Sequence, residues 1–166
     1  IEYQRGQLIE ASSTDCAINT TVNLYSEWQT STSYGNLSNT ENYDFYQSSS
    51  NKGVHNGKAT MFITIKGYTS FTFKVRNYSE SYFDYVVVNN LDDRSIPTWQ
   101  PRVGNGTASS GYVYYSNQSK SSSTTWHDVT FDNLDGGEHY ITVTYGKDGS
   151  GNSYDDRGYV AIPKIQ

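Results

Sequence analysis

Cysteine is nearly absent from this chain of 166 residues: Cys16 is alone, so no internal disulfide can form. The fold must therefore be stabilised by an apolar core, which a chain of this length can bury. Charged residues are also few, at 17% against about 25% in typical globular domains. The net charge is −5 and the lysines and arginines are scattered, which argues against nucleic acid or an anionic membrane surface as a partner.

Long apolar runs are missing as well. The longest one, residues 82–88, is interrupted by Asp84, whereas a membrane-spanning helix needs about 20 apolar residues. The polar start, Ile1 to Arg5, is unlike a secretory signal peptide. We therefore expect a mature product or a fragment of a longer chain, without membrane insertion.

Catalytic motifs are lacking in the same way. There is no Gly-x-Ser-x-Gly nucleophile elbow, and Cys16 has no neighbouring histidine in the sequence. The histidines, His55, His127 and His139, do not have zinc-binding spacing. Residues 149–151 are glycine-rich but precede a predicted strand rather than a helix, unlike a phosphate loop. We expect no enzyme, and a glycan hydrolase or lyase with a carboxylate pair is an alternative.

Alternation between apolar and polar residues is the strongest pattern that the chain does have. Period-two alternation predicts β-strands, here over residues 59–65, 71–76, 84–89, 112–115, 126–131, 139–145 and 158–162. Weaker signals lie at residues 22–25 and 43–47, and Asn56-Gly57 predicts a hairpin turn. Residues 84–89 are apolar on both faces, which predicts a central strand.

Eight or more short strands with one buried face predict an all-β fold. We expect a single antiparallel β-sandwich of the jelly-roll kind over residues 1–166, with a less regular N-terminal third over residues 1–57. No segment carries a helical stripe, which excludes parallel βαβ units. Trp126 opens a predicted strand and is expected in the core, because tryptophan is usually buried.

Aromatic residues are the surplus that bears on function, with 16 Tyr, 6 Phe and 3 Trp. The core should absorb about half of them. Tyrosine and tryptophan offer a flat apolar face and a polar edge, which suits sugar rings, and mixtures of Tyr, Ser, Asn and Gly are also typical of protein-binding loops. The expected ligand-binding residues are Trp28, Tyr34, Trp99, Tyr112, Tyr114 and Tyr115. Trp28 and Trp99 lie outside the clear strand pattern, which favours their exposure.

Acidic residues in two predicted loops suggest a Ca²⁺ site. The candidate ligands are Glu80, Asp84, Asp148 and Asp156. Two loops at one end of a sandwich can meet, and their carboxylate oxygens are the ligands that Ca²⁺ prefers. In the alternative interpretation Asp148 and Asp156 stabilise turns, and Asp84 pairs with Arg76 or Arg157.

Two stretches of the chain carry a family resemblance. Residues 71–75 read Phe-Thr-Phe-Lys-Val and residues 81–88 read Ser-Tyr-Phe-Asp-Tyr-Val-Val-Val, which resembles a central segment of CUB-like jelly rolls. Residues 126–131, Trp-His-Asp-Val-Thr-Phe, together with residues 143–150 and 156–160, are similar to the closing strands of jelly-roll modules in bacterial secreted, surface and phage-tail proteins.

The resemblance implies a β-sandwich module for adhesion or carbohydrate binding, appended to a larger extracellular protein. It also implies that Asp84 and Asp148 correspond to two Ca²⁺-binding carboxylates of CUB domains. The paired cysteines of CUB domains are missing here, and Arg76 lies near the place of an expected acidic residue.

These observations predict a non-catalytic extracellular module that is secreted, on a cell surface or on a virion. Its exposed aromatics would recognise a cell-surface glycan or protein, and weak binding of this kind favours several copies in one chain or assembly. The alternative is a structural domain of a fibre, pilus or phage tail, whose aromatic surface is buried against neighbouring subunits.

Overall fold

The computed structural model describes residues 3–10, 19–25, 28–49, 58–78, 85–89, 112–116, 125–146 and 157–164, and it describes side chains for residues 28–49, 59–78, 86–88, 125–146 and 157–164. Within these residues the chain forms eleven β-strands and one turn of 3-10 helix at Thr40–Asn42. None of the helical structure in this part is long and apolar enough to cross a membrane.

The strands follow one another along the whole chain. Their bounds are β1 (Tyr3–Glu10), β2 (Asn19–Tyr25), β3 (Trp28–Thr30), β4 (Tyr43–Ser48), β5 (Lys58–Lys66), β6 (Phe71–Tyr78), β7 (Tyr85–Asn89), β8 (Tyr112–Ser116), β9 (His127–Phe131), β10 (Glu138–Gly146) and β11 (Arg157–Pro163). The described strands form a six-stranded sheet in the order β1-β2-β5-β10-β7-β8 and a five-stranded sheet in the order β3-β4-β11-β6-β9. All pairings between them are antiparallel.

The main core lies between the two sheets, because alternate residues of each strand point inward. Ala59, Met61, Ile63 and Ile65 of β5 belong to the same buried cluster as Phe71, Phe73 and Val75 of β6. Strands β10 and β11 contribute to that cluster as well, with Ile141, Val143, Val160 and Ile162. The predicted antiparallel β-sandwich is therefore confirmed, whereas its jelly-roll connectivity stays a prediction.

Strand β7 confirms the central position that its sequence predicts. It pairs with β10 on one side and with β8 on the other. Val86 and Val88 lie in the core between the sheets, and Val87 is buried on the opposite face. Thr60 and Thr144 are buried on that opposite face too, and their hydroxyls share a hydrogen bond of 2.9 Å.

The N-terminal third supplies the first four strands. The weak signals at residues 22–25 and 43–47 correspond to β2 and β4, whereas β1 and β3 were not predicted. In the order of the described strands, β1 and β3 lie at sheet edges, where one strand neighbour suffices and the sequence need not alternate strictly. The predicted Asn56-Gly57 turn lies outside the described residues.

The expected exposure of Trp28 is wrong. Trp28 begins β3, is 0% exposed and packs in the main core. A strand of three residues is too short to show alternation, so the sequence could not reveal its inward face. The indole Nε1–H of Trp28 is buried and finds no hydrogen-bond partner among the residues that the structure describes.

Two loops connect the sheets at one end of the sandwich and hydrogen-bond to each other. The Gly67 N–H donates to the Gly136 carbonyl at 3.0 Å, the Gly136 N–H to the Tyr68 carbonyl at 3.2 Å, and the Leu134 N–H to the Thr69 carbonyl at 2.9 Å. Gly67 and Gly136 have positive φ angles of 90° and 79°, which glycine adopts without steric cost.

Asp135 stabilises the second of these loops. Its Oδ1 accepts the Gly137 N–H at 2.8 Å and lies 2.6 Å from His139 Nε2. The Gly137 hydrogen bond, and then the His139 contact, lower the pKa of the Asp135 carboxyl. The carboxylate therefore stabilises the fold above about pH 4, the range of an unfolded aspartate, and this contribution is lost as the pH falls through the folded-state pKa.

Asp135→Asn should reduce stability at pH 6 but not at pH 2. The variant lacks the charge that favours the Gly137 and His139 contacts, and the wild type loses the same charge in acid. The measurement is urea unfolding of both proteins between pH 2 and pH 6. A stability difference between the two proteins that stays constant, or widens as the pH falls, would contradict the stabilising role of the Asp135 carboxylate.

Candidate binding surface on the five-stranded sheet

A second apolar cluster lies on the outer face of the five-stranded sheet. Its buried members, Phe45, Trp126, Tyr159 and Ala161, are distinct from the core between the sheets. They point outward because they alternate with inward residues, as Tyr159 and Ala161 do with Val160 and Ile162 of the same strand. Leu37, Tyr43 and Tyr78 pack against the cluster and are partly buried. We call Tyr34, Tyr43, Phe45, Trp126 and Tyr159 the aromatic patch.

Tyr34 carries the exposed end of the aromatic patch. Its side chain is 41% exposed, whereas the other large hydrophobic side chains among the described residues are buried or partly buried. Its ring lies 4.8 Å from the ring of Phe45, centroid to centroid, and tilted by 59°. Phe45 in turn lies 6.0 Å from Tyr43 and 5.9 Å from Trp126. The exposed ring is therefore supported from below by buried aromatic rings, in geometries that aromatic pairs prefer.

Arg76 lies beneath the loop that carries Tyr34. Its position on β6 pairs with Tyr159 of β11, and Trp126 precedes the β9 residue that pairs with Val75. The guanidinium carbon lies 3.9 Å from the Tyr159 ring centroid and 4.8 Å from that of Trp126. Guanidinium groups are attracted to aromatic faces at these distances. Only 2% of Arg76 is exposed.

Residues 31–37, which we call the Tyr34 loop, are hydrogen-bonded to the sheet. Arg76 Nη2 donates to the Ser33 carbonyl at 2.8 Å and to Ser33 Oγ at 2.6 Å. Trp126 Nε1 donates to the Tyr34 carbonyl at 2.8 Å. The Ser31 N–H donates to the Phe45 carbonyl at 2.9 Å. These bonds fix the backbone of the loop on both sides of the Tyr34 ring.

A row of polar pairs continues along the same outer face. Lys74 Nζ lies 2.6 Å from Asp128 Oδ1, and the hydroxyls of Thr72 and Thr130 are 2.9 Å apart. Lys74 and Thr72 are two and four residues from Arg76 on β6, so all three share the outward face. Charged and hydroxyl groups therefore lie beside the aromatic patch, as recognition of a polar ligand requires.

Three titratable groups of this sheet have pKa values shifted by burial. Burial raises the pKa of the Asp44 carboxyl, and Lys164 partly opposes the shift. Burial, with Asp44 nearby, raises the pKa of the Tyr46 hydroxyl. Burial lowers the pKa of His127, and Asp128 partly opposes it. His127 is therefore biased toward its neutral form.

The structure describes only part of the predicted site. Tyr34 is exposed and Trp28 is buried. Tyr112, Tyr114 and Tyr115 belong to β8, but their side chains lie outside the described part, as does Trp99 as a whole. The predicted Ca²⁺ ligands, Glu80, Asp84, Asp148 and Asp156, also lie outside the described residues. Within the described ones, no three His, Cys, Asp or Glu side chains converge as metal ligands would.

Sequence reasoning missed the residues that support Tyr34. Trp126 is buried as predicted, at 9% exposed, but on the outer face of the sheet rather than between the sheets. Phe45 is part of a weak strand signal, and the sequence predicts Arg76 as a partner of Asp84 or as a departure from the CUB pattern, not as a support for Tyr34. The alternation of two predicted strands places Arg76 and Tyr159 on the outward face of the sheet, and this was the sequence signal that could have indicated the cluster.

Comparisons with known proteins identify no family. No protein-family model matches the chain, and no curated protein matches it. Among solved structures, the chain is similar to the secreted serine protease VesC from Vibrio cholerae, with a TM-score of 0.43 and 12% sequence identity. The similarity covers 93% of this chain and 27% of that protein. The chain thus spans about a quarter of the other protein's length, and a likeness at this level carries no functional argument.

Proposed function

We propose that this domain is a non-catalytic extracellular binding module, which recognises a glycan or protein through the aromatic patch and Tyr34 above all. The observation that carries the proposal is the exposed Tyr34 ring, seated on Phe45 and presented by a loop that is hydrogen-bonded to the sheet. A single exposed tyrosine is ordinary on a protein surface. A tyrosine with aromatic support below and polar groups beside it is a better candidate for recognition.

The chemistry of the surface suits a sugar ring. The C–H face of a sugar can stack on the tyrosine ring, and its hydroxyls need hydrogen-bond donors and acceptors nearby. Lys74, Asp128, Thr72 and Thr130 supply such groups on the same face of the sheet. A Ca²⁺ ion at Glu80, Asp84, Asp148 and Asp156 remains part of the proposal, as the sequence predicts.

Tyr34→Ala should weaken glycan binding at least about tenfold, since aromatic anchors at interfaces commonly contribute more than about 1.4 kcal/mol. A glycan array selects the sugar, and isothermal titration calorimetry measures its affinity for each variant. The matched control is Tyr140→Ala, which removes a partly buried tyrosine from β10 of the other sheet. This control should bind as tightly as the wild type.

Either of two results would contradict the proposal. An array with no binding above background would contradict glycan recognition, and unchanged affinity in Tyr34→Ala would contradict the role of Tyr34. Tyr34→Ala should remain folded, with a stability loss of about 0.5–1.5 kcal/mol from the lost ring contact with Phe45, which thermal unfolding measures.

A further inference from the structure

Arg76 occupies a position where a long charged side chain would normally reach water. Its outward place on β6 allows the guanidinium to extend into solvent, as arginine side chains commonly do on sheet surfaces. Here the side chain is instead almost completely buried. A buried charge is costly unless hydrogen bonds and favourable electrostatics compensate it, so the contacts that Arg76 makes identify its role.

The contacts of Arg76 converge on the Tyr34 loop. Two hydrogen bonds from Nη2 reach Ser33, one to its carbonyl and one to its hydroxyl. The Trp126 ring, which the guanidinium contacts, donates its Nε1–H to the next carbonyl, that of Tyr34. The two consecutive carbonyls that flank the Tyr34 Cα are therefore held by Arg76 on β6 and by Trp126 next to β9.

We infer that Arg76 is a positioning residue, which holds the Tyr34 loop in the conformation that presents the Tyr34 ring; the binding consequence rests on the proposed function. The loop sequence, Ser31 to Leu37, is rich in small polar residues and contains Gly35 at a positive φ of 59°. Such a segment has many conformations when it is not held. Fixing it before the ligand arrives removes an ordering cost that binding would otherwise include.

The conservative variant Arg76→Lys separates positioning from charge. Lysine keeps the positive charge but is a compact ammonium. It lacks the planar group that packs on the Tyr159 and Trp126 rings while its Nη2 reaches both oxygens of Ser33. The matched control is Lys74→Arg, the reverse exchange two residues away on the same face of β6. Lys74 pairs with Asp128 on the exposed part of the sheet and does not contact the Tyr34 loop in the described hydrogen bonds.

Hydrogen–deuterium exchange of the unliganded protein tests the inference. Ser31, Ser33 and Leu37 each donate a backbone N–H within the structure, so their protection reports on the loop. In Arg76→Lys, peptides over residues 31–37 should exchange about tenfold faster or more, because charge-assisted hydrogen bonds to the loop are lost. Peptides over β6 and β11, and all peptides of Lys74→Arg, should exchange as in the wild type.

Two outcomes would overturn the inference. Unchanged exchange over residues 31–37 in Arg76→Lys would show that Arg76 does not hold the loop. Equal acceleration across both sheets, with a matching loss in urea unfolding, would show a general structural role. The glycan array with wild-type protein tests the proposed function separately: faster loop exchange together with an array without binders would uphold positioning and reject glycan recognition.

Discussion

Replacing Trp28 with alanine should lower the free energy of unfolding by about 3–5 kcal/mol, the range for truncating a large buried aromatic side chain. The Trp28 ring is fully buried in the core cluster that also contains Tyr46 and Met61. It lies on β3, which has three residues and pairs with β4. Trp28 is the buried residue of this strand, so the loss of the ring leaves the edge strand held by its pairing with β4. Urea unfolding followed by circular dichroism measures the change in free energy. In thermal unfolding, the midpoint temperature should fall by about 2–4 °C for each kcal/mol lost.

Trp28→Phe is the informative companion variant. It keeps an aromatic ring in the core and removes the Nε1–H, which has no hydrogen-bond partner in the described part of the chain. A buried donor without a partner costs about 1–3 kcal/mol, so its removal should offset part of the volume that is lost. We expect Trp28→Phe to be clearly more stable than Trp28→Ala. A stability loss below about 1 kcal/mol in Trp28→Ala would contradict the core assignment of this residue.

The strands that could be predicted are those whose two faces differ in environment. In β5 and β6, apolar residues enter the core while threonine and lysine alternate with them, so the period of two is visible in the sequence. The strand β3 offers no such pattern, because it is three residues long and begins with its one core residue. The fold class therefore follows from sequence, but the extent of the N-terminal strands does not.

The binding surface was harder to predict because it depends on contacts between distant parts of the chain. Exposure of Tyr34 follows from its place in a polar segment. The support beneath it does not: Ser33 and Arg76 are 43 residues apart, and Tyr34 and Trp126 are 92 apart. Only the order β4-β11-β6-β9 brings these positions onto one face, and strand order is not contained in the period of any single strand.

Gly158→Val should destabilise the protein by more than about 3 kcal/mol, and Gly158→Ala by about 1–3 kcal/mol, the usual cost of overpacking a core. Gly158 lies on β11 of the five-stranded sheet, and its backbone faces the six-stranded sheet. A Cβ at this position would lie 3.1 Å from Tyr145 Cβ and 3.1 Å from Val86 Cγ2. Tyr145 Cβ moves only with its backbone, and Val86 is fully buried. A rotamer change of Val86 therefore relieves one of the two contacts at most, and a strand must move.

The movement would also strain a hydrogen bond, since the Gly158 N–H donates to Ser48 Oγ at 3.0 Å. Gly137→Ala is the matched control, because the nearest atom to its added Cβ is Asp135 Oδ1 at 3.0 Å, at the end of an exposed side chain. That carboxylate can shift without moving a strand, although it then gives up its contacts with the Gly137 N–H and His139. We therefore expect a loss that is smaller than that of Gly158→Ala. Chemical unfolding measures the stability loss of each variant, which should be largest for Gly158→Val and smallest for Gly137→Ala. If Gly158→Ala is as stable as the wild type, the space between Gly158 and the Tyr145 and Val86 side chains is large enough for a methyl group, which would contradict the close packing described here.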